Sequence, residues 1–164
     1  MEGPASRRLL CLTMMGYRKP GIDENDLCYL MVNKHAQMIS NLMEKYGIIS
    51  YTITHNTEKV SSLLSQLFDP SRVAFSDHDF IVQIMFPDIE SFLKLKADPL
   101  YIERIAQDHL SFSDPTDEKR KTRMTLGFVH EVVRDGKVTY VEDKEAVACT
   151  VNREILDGDT GRFQ

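Results

Sequence analysis

The sequence predicts an α+β fold in which two helices cover one face of an antiparallel sheet. Short runs rich in apolar, aromatic and β-branched residues predict strands, and two longer segments with helical spacing of apolar residues predict helices. Their order is strand, helix, strand, strand, helix, strand, which is the βαββαβ pattern of a ferredoxin-like sandwich. A chain of 164 residues can form one such domain with a substantial core.

The first strand ends at a basic turn. Its apolar run begins at Leu9 and stops at Gly16, and Pro20-Gly21 then predicts a turn, because proline fixes φ and glycine tolerates a positive φ. The chain can therefore meet a ligand where this strand ends.

A long helix is predicted to begin near Asp23, whose side chain can cap it, and to run to about Lys45. Gly47 is its expected stop, because glycine commonly ends helices in the left-handed conformation. His35 lies in the middle of this helix, on or beside its apolar face.

The second strand is predicted within Ile48–Asn56, which is rich in β-branched and aromatic residues. Alternation along a strand places Tyr51, Ile53 and His55 on one face. Residues 58–69 then form a short predicted helix that lies as an insertion between two strands.

The second half of the chain repeats the pattern of strand, helix and strand. Phe80–Phe86 is an almost continuous apolar run, which predicts a strand covered on both faces. Asp88–Ala97 predicts the second main helix, and Leu100–Leu110 a further helical piece. Arg123–Val133 is predicted as the last long strand.

The domain boundaries follow from composition. Asp135-Gly136 predicts a hairpin turn after the last strand. We expect residues 1–6 to be disordered, residues 7–141 to form the domain and residues 142–164 to form a polar tail.

Composition excludes several classes of function. The net charge of −5 provides no basic face over the chain, so nucleic acid is not an expected partner, and the basic run from Lys119 to Arg123 is read as a solvated loop. Three cysteines without a CxxC spacing imply neither a disulfide framework nor a zinc site. Without a signal core or a membrane-spanning run, we expect a soluble, cytoplasmic protein with no membrane partner.

No local motif indicates a cofactor or a metal. The chain lacks GxGxxG, P-loop, GxSxG and HExxH patterns, so we predict no cofactor and no metal ligands. The groups that can titrate near neutral pH are then the five histidines.

Three histidines are candidates for chemistry. His35 is either a core histidine bonded to a carbonyl or a functional group. His55 lies near a strand end, where it forms either a pocket rim or a surface histidine. His109 follows Asp108, whose carboxylate would raise the imidazole pKa if the two side chains met. Structural or surface roles are favoured for His78 and His130.

Three tyrosines are candidates for substrate binding, because a phenol can donate a hydrogen bond while its ring is buried. They are Tyr17, Tyr51 and Tyr101. Arg18 and Lys19, beside Tyr17, can attract a carboxylate, although a solvent-facing role is the favoured interpretation for both.

Several short sequence motifs indicate a family. The chain resembles the fungal EthD-type enzymes that tailor aromatic polyketides, in particular decarboxylases of atrochrysone carboxylic acid and related anthraquinone precursors. The resemblance covers roughly residues 7–140 and rests on KYGI at 45–48, THN at 54–56, SQLFD at 65–69, DPLY at 98–101, DH at 108–109 and TRMTLGFVHEVVRDG at 122–136.

The resemblance implies an obligate homodimer of the dimeric α/β-barrel type, in which two sheets pack through their outer faces. The runs 9–15 and 80–86, apolar on both faces, agree with this expectation. It also implies an enclosed apolar hollow in each protomer that holds an aromatic polyketide.

The implied activity is a cofactor-free decarboxylation of a polyketide-derived β-keto acid in secondary metabolism. Loss of carbon dioxide leaves electrons on an enolate oxygen, which pocket donors can stabilise. The expected proton donors are His35, His55 or His109, with Tyr51 and Tyr101 holding substrate oxygens. Dehydration or cyclisation of the same scaffold, and a non-catalytic polyketide-binding role, are the alternatives.

Overall fold

The computed structural model describes residues 9–139 and confirms the ferredoxin-like fold. An antiparallel sheet has the strand order β2-β3-β1-β4. Its strands are β1 (Leu10–Gly16), β2 (Ser50–His55), β3 (Phe80–Phe86) and β4 (Arg123–Phe128). The predicted boundaries at 1–6 and 142–164 lie outside the described residues.

Helix α1 occupies the predicted segment and has three consecutive parts. They are α-helical Glu24–Cys28, π-helical Tyr29–His35 and α-helical Ala36–Lys45. The side chain of Asp23 caps the helix by accepting from the backbone N–H of Asp26 at 2.8 Å. Gly47 has a φ of 70°, as expected for a residue that stops a helix.

The predicted helix over 58–69 is two short helices, α2 (Glu58–Ser61) and α3 (Leu64–Leu67). Thr57 caps α2, but no side chain caps α3. Because α2 and α3 bury none of their side chains, packing adds little to hold one continuous helix.

The second main helix, α4 (Ile89–Ala97), begins after the capping residue Asp88. Helix α5 follows at once and has three parts, π-helical Tyr101–Ile105, α-helical Ala106–Asp108 and 3₁₀-helical His109–Ser111. The helical piece predicted at Leu100–Leu110 is therefore present.

The last strand is shorter than predicted. β4 ends at Phe128, which pairs with Leu10, the first residue of β1, and one further bond joins the N–H of Val129 to the carbonyl of Leu9. A separate hairpin follows, with β5 (Val133–Arg134) paired to β6 (Lys137–Val138). Its turn residues Asp135 and Gly136 both have positive φ, as a two-residue hairpin loop requires.

The core lies between the helices and one face of the sheet. On β3 this face buries every second residue, and α1, α4 and α5 cover it with apolar side chains. The buried set includes Leu10, Leu27, Met31, Ile39, Leu42, Phe80, Val82, Ile84, Phe86, Leu95, Ile105 and Phe112.

The outer sheet face is less apolar than predicted. Gln83 on β3 is exposed, and the strand register places it beside Thr13 of β1 and Thr52 of β2. Thr125 of β4 extends this polar row. The run 80–86 is therefore apolar on its outer face except at Gln83, and the coverage of that face by a second sheet stays a prediction. No helix within residues 9–139 is long and apolar enough to cross a bilayer.

Gly16 provides a direct test of the packing at the end of β1. A Cβ atom at this position would lie 2.2 Å from Cζ of Phe80, so Gly16→Ala must displace the Phe80 ring. We expect a loss of unfolding free energy of about 1–3 kcal/mol, measured by urea denaturation. Gly127→Ala on β4 is the matched control, because nothing lies within 4 Å of its added Cβ. Equal stability of the two variants would contradict this account.

Candidate active site

Buried His35 of α1 and half-buried Asp108 of α5 form a pair that joins the two helices. His35 ends the π-helical part of α1 and is only 3% exposed, whereas Asp108 ends the α-helical part of α5. Their Nδ1 and Oδ2 atoms are 2.9 Å apart, so Nδ1–H donates to the carboxylate. His35 thus bonds a carboxylate rather than the carbonyl expected of a structural core histidine.

His109 completes a cluster of aromatic and imidazole rings with this pair. Its ring centroid is 4.7 Å from that of His35, and the Phe112 ring lies edge-on to both imidazoles. Phe80 of β3 packs edge-on against Phe112 at 6.1 Å. We refer to His35, Asp108, His109 and Phe112 as the histidine cluster. Phe112 had no signal in the sequence, because a lone phenylalanine in a polar segment resembles any core residue.

Both imidazoles of the histidine cluster are biased toward the neutral form. Burial lowers the pKa of His35, although the hydrogen bond to Asp108 opposes this shift. Burial and the neighbouring His35 lower the pKa of His109 to about 4. The predicted rise from Asp108 is therefore outweighed at His109. With Nδ1–H of His35 donating to Asp108, its Nε2 carries the lone pair of a general base.

Tyr51 and Tyr101 contribute protonated phenols. Tyr51 lies on the helix-facing side of β2, and burial together with the nearby Tyr101 raises its pKa to about 12. Burial also raises the pKa of Tyr101, which begins the π-helical part of α5. Both hydroxyls therefore remain hydrogen-bond donors at neutral pH.

Two π-helical segments position these residues. His35 is the last residue of the first segment and Tyr101 the first residue of the second. A π-helical stretch changes the direction in which the following side chains point, and such stretches are frequent at functional sites. Apolar spacing in the sequence did not predict either segment.

His55 lies on the same sheet face as Tyr51 and pairs with Phe80 in the strand register. Both of its ring nitrogens are buried and have no hydrogen-bond partner among the described residues. Burial lowers the pKa of His55. The buried hydroxyl of Ser111, on the last turn of α5, also lacks a partner in the described part of the chain. Nothing in the sequence indicated Ser111.

The structure places Tyr17 in a different cluster. Its hydroxyl donates to Asp77 at 2.7 Å, its ring centroid lies 4.6 Å from that of His78 with the planes tilted by 30°, and the Arg120 guanidinium lies over the ring. The contacts of Tyr17 therefore do not support the substrate-binding role predicted for it. His78 is buried in this second cluster, as expected for a structural histidine, and His130 is exposed.

The basic residues beside Tyr17 have partners within the chain. The Arg18 guanidinium lies 3.6 Å from Asp79, and the Lys19 ammonium donates to the carbonyl of Leu110. Arg120 also reaches Asp79, at 3.2 Å. These cations are largely neutralised or bonded within the chain.

Open depressions on the surface lie near this basic turn. One of about 520 Å³ lies between Arg18 and Glu58, and another of about 310 Å³ lies between Lys19 and Arg120. Neither is lined by the histidine cluster, His55, Tyr51 or Tyr101, so neither is the enclosed hollow that the resemblance implied. Within residues 9–139, no three His, Cys, Asp or Glu side chains are arranged to hold a metal ion.

Comparison with known proteins identifies relatives over most of the chain. Dehydratase aurZ of Gibberella zeae is 48% identical over 79% of this chain and 83% of the relative. The conidial pigment biosynthesis dehydratase EthD of Metarhizium robertsii is 43% identical, over 82% and 92% of the two chains. Decarboxylase claH of Passalora fulva is 42% identical, over 84% and 86%.

A solved structure agrees with the fold. The hydroxynitrile lyase from Passiflora edulis superposes with a TM-score of 0.52 at 8% identity, covering 78% of this chain and 99% of that one. At this identity the similarity concerns the fold alone. The EthD domain model matches residues 19–116, which include His35, Tyr51, His55, Tyr101, Asp108 and His109. From this match and the relatives above, the chain belongs to the EthD-domain family.

Proposed function

We propose that the protein is a lyase that acts on a polyketide-derived aromatic β-keto acid in fungal secondary metabolism. Decarboxylation is the reaction that we propose first. The observation that carries the proposal is the hydrogen bond between buried His35 and half-buried Asp108, beside the neutral His109. The names of the relatives, which include decarboxylases and dehydratases, support a lyase.

Decarboxylation of such an acid breaks the bond between the carboxylate and the α-carbon. The electron pair moves onto the neighbouring ketone oxygen, carbon dioxide leaves, and the resulting enolate is protonated at carbon. The phenols of Tyr51 and Tyr101 are protonated donors suited to the enolate oxygen. A donor preorganised in a dry site contributes on the order of 3 kcal/mol to such a step.

The His35–Asp108 pair supplies the proton. Neutral Nε2 of His35 takes up the proton of the substrate's carboxyl group, and the carboxylate of Asp108 stabilises the resulting imidazolium across the 2.9 Å hydrogen bond. After carbon dioxide has left, the same nitrogen returns this proton to the carbon. His109, held neutral by burial, places no second positive charge beside the His35 imidazolium. Hydrogen bonds and proton transfers complete the reaction, so the proposal needs no cofactor.

Dehydration of the same scaffold is the second candidate. Removing water from a β-hydroxy ketone begins with a base, and the unprotonated Nε2 of His35 is such a base. The proton taken from carbon is then returned to the departing hydroxyl, which leaves as water. Two of the relatives described above are named dehydratases.

We also propose that the protein is a homodimer whose two sheets pack through their outer faces. Met15, Ile81 and Met85 are half-buried apolar residues on this face of one protomer. A second copy would cover them, and the polar row through Gln83 would then pair across the interface. Sedimentation equilibrium of the full chain tests this, and a monomer at micromolar concentration would contradict it.

The reaction is tested with atrochrysone carboxylic acid carrying a ¹³C-labelled carboxyl group. We expect labelled carbon dioxide and a product that retains its tertiary hydroxyl. Loss of water with the label retained would support dehydration instead. Ring closure would indicate a cyclase, and tight product binding without turnover would indicate a non-catalytic role. Either of these last outcomes would overturn the lyase proposal.

Asp108→Asn tests the charge that stabilises the His35 imidazolium. We expect kcat to fall by roughly 10²–10⁴-fold, because an amide can keep the hydrogen bond but not the charge. Asp26→Asn, an identical charge change at an exposed position of α1, should leave kcat within a factor of about two. A similar kcat for both variants, with folding verified by circular dichroism, would exclude a role for Asp108.

The pH dependence of kcat/KM tests the neutral imidazoles. Because burial lowers both pKa values, the base form persists below the ordinary histidine pKa of about 6.5. We expect kcat/KM to stay constant from pH 7.5 to about 6 and to fall only toward pH 4, as the cluster becomes protonated. A fall centred at or above pH 6.5 would contradict the electrostatic description of the site.

A further inference from the structure

Neither ring nitrogen of His55 has a hydrogen-bond partner among the described residues. It lies on β2 with its side chain toward the helices, opposite Phe80 in the register. A neutral imidazole has one nitrogen that donates and one that accepts, and in His55 both are buried without a partner among the described residues. In contrast, His35 bonds Asp108 and His78 bonds Ser76 through its Nδ1 atom.

Unpaired buried polar groups are costly. Leaving one donor or acceptor unsatisfied costs about 1–3 kcal/mol, and native proteins contain few such groups. A leucine or phenylalanine at position 55 would avoid this cost and would suit the apolar neighbours Ile53 and Phe80. A histidine at this place is therefore best explained by a ligand that pairs with its ring.

The side chains along β2 indicate the length of that ligand and the positions of its polar atoms. Tyr51 and His55 are four residues apart on one face of β2, a span of roughly 13 Å, with half-buried Ile53 between them. This face therefore offers an apolar strip with a phenol at one end and an imidazole at the other. A flat fused-ring molecule with oxygen atoms at both ends matches that arrangement.

We propose that His55 is a recognition residue, whose ring pairs with a hydroxyl or carbonyl oxygen at one end of a fused-ring aromatic ligand while Tyr51 pairs with an oxygen at the other. This inference rests on the proposed function, which supplies aromatic polyketides as the ligand class. It assigns binding to His55 and leaves proton transfer to the histidine cluster. A ligand hydroxyl can donate or accept, so it satisfies either tautomer of the imidazole.

The test compares two probes by titration calorimetry against the full chain. They are 2,6-dihydroxyanthraquinone, whose hydroxyls lie at opposite ends of the ring system, and unsubstituted anthraquinone. We expect the wild type to bind the dihydroxy probe roughly tenfold or more tightly than the unsubstituted one. His55→Phe should lose this preference, and His55→Gln, which keeps a donor and an acceptor, should retain part of it. His130→Phe, the same change at an exposed site, should retain it fully.

Turnover separates this inference from the proposed function. With the β-keto acid as substrate, His55→Phe should raise KM about tenfold while kcat stays within a factor of a few. Its stability should equal or exceed that of the wild type, because an unpaired buried polar group is removed. Both are measured on the same preparations.

Two results would overturn the inference and leave the lyase function standing. One is an undiminished probe preference in His55→Phe. The other is a fall of 10²-fold or more in kcat at unchanged KM, which would make His55 a catalytic residue. A wild type that binds neither probe and releases neither carbon dioxide nor water overturns both the inference and the proposed function.

Discussion

The contact between His35 and Asp108 depends on two helices being held at one distance. The residues are 73 positions apart in the chain, and their 2.9 Å bond joins α1 to α5 above the sheet. A second connection joins the same helices. Asp98, buried just before α5, accepts from Lys45 and Tyr46 at the end of α1, each at 2.8 Å, and from the backbone N–H of Leu100. These contacts hold the pKa of Asp98 below its ordinary value.

The two connections have different consequences. Lys45 is largely exposed, so its contact with Asp98 is screened by solvent and contributes modestly to stability. His35 is buried, so losing its partner would leave a polar ring unpaired in an apolar setting. The hydrogen bond between His35 and Asp108 therefore forms only when α1 and α5 lie at this separation.

Burial shifts the pKa values of the imidazoles and the phenols in opposite directions, but it favours the neutral form of both. It lowers the pKa of His35 and His109 and raises that of Tyr51 and Tyr101, so all four groups are neutral at pH 7. Neutral phenol donors and neutral imidazole bases suit a reaction that passes through an enolate. Charged groups gather instead at the turn after β1, where Arg18 and Arg120 share Asp79.

The sequence alone determined the order of the strands and main helices along the chain, the capping residue Asp23, and the placement of Tyr51 and His55 on one face of β2. These features follow from local periodicity and backbone preferences, which neighbouring residues set. Only the tertiary structure decided that Asp108 pairs with His35 rather than with adjacent His109, that π-helical segments present His35 and Tyr101, and that Tyr17 faces Asp77. Each of these depends on contacts between distant segments, because a hydrogen bond or a burial shift arises only when the folded chain brings its partners together.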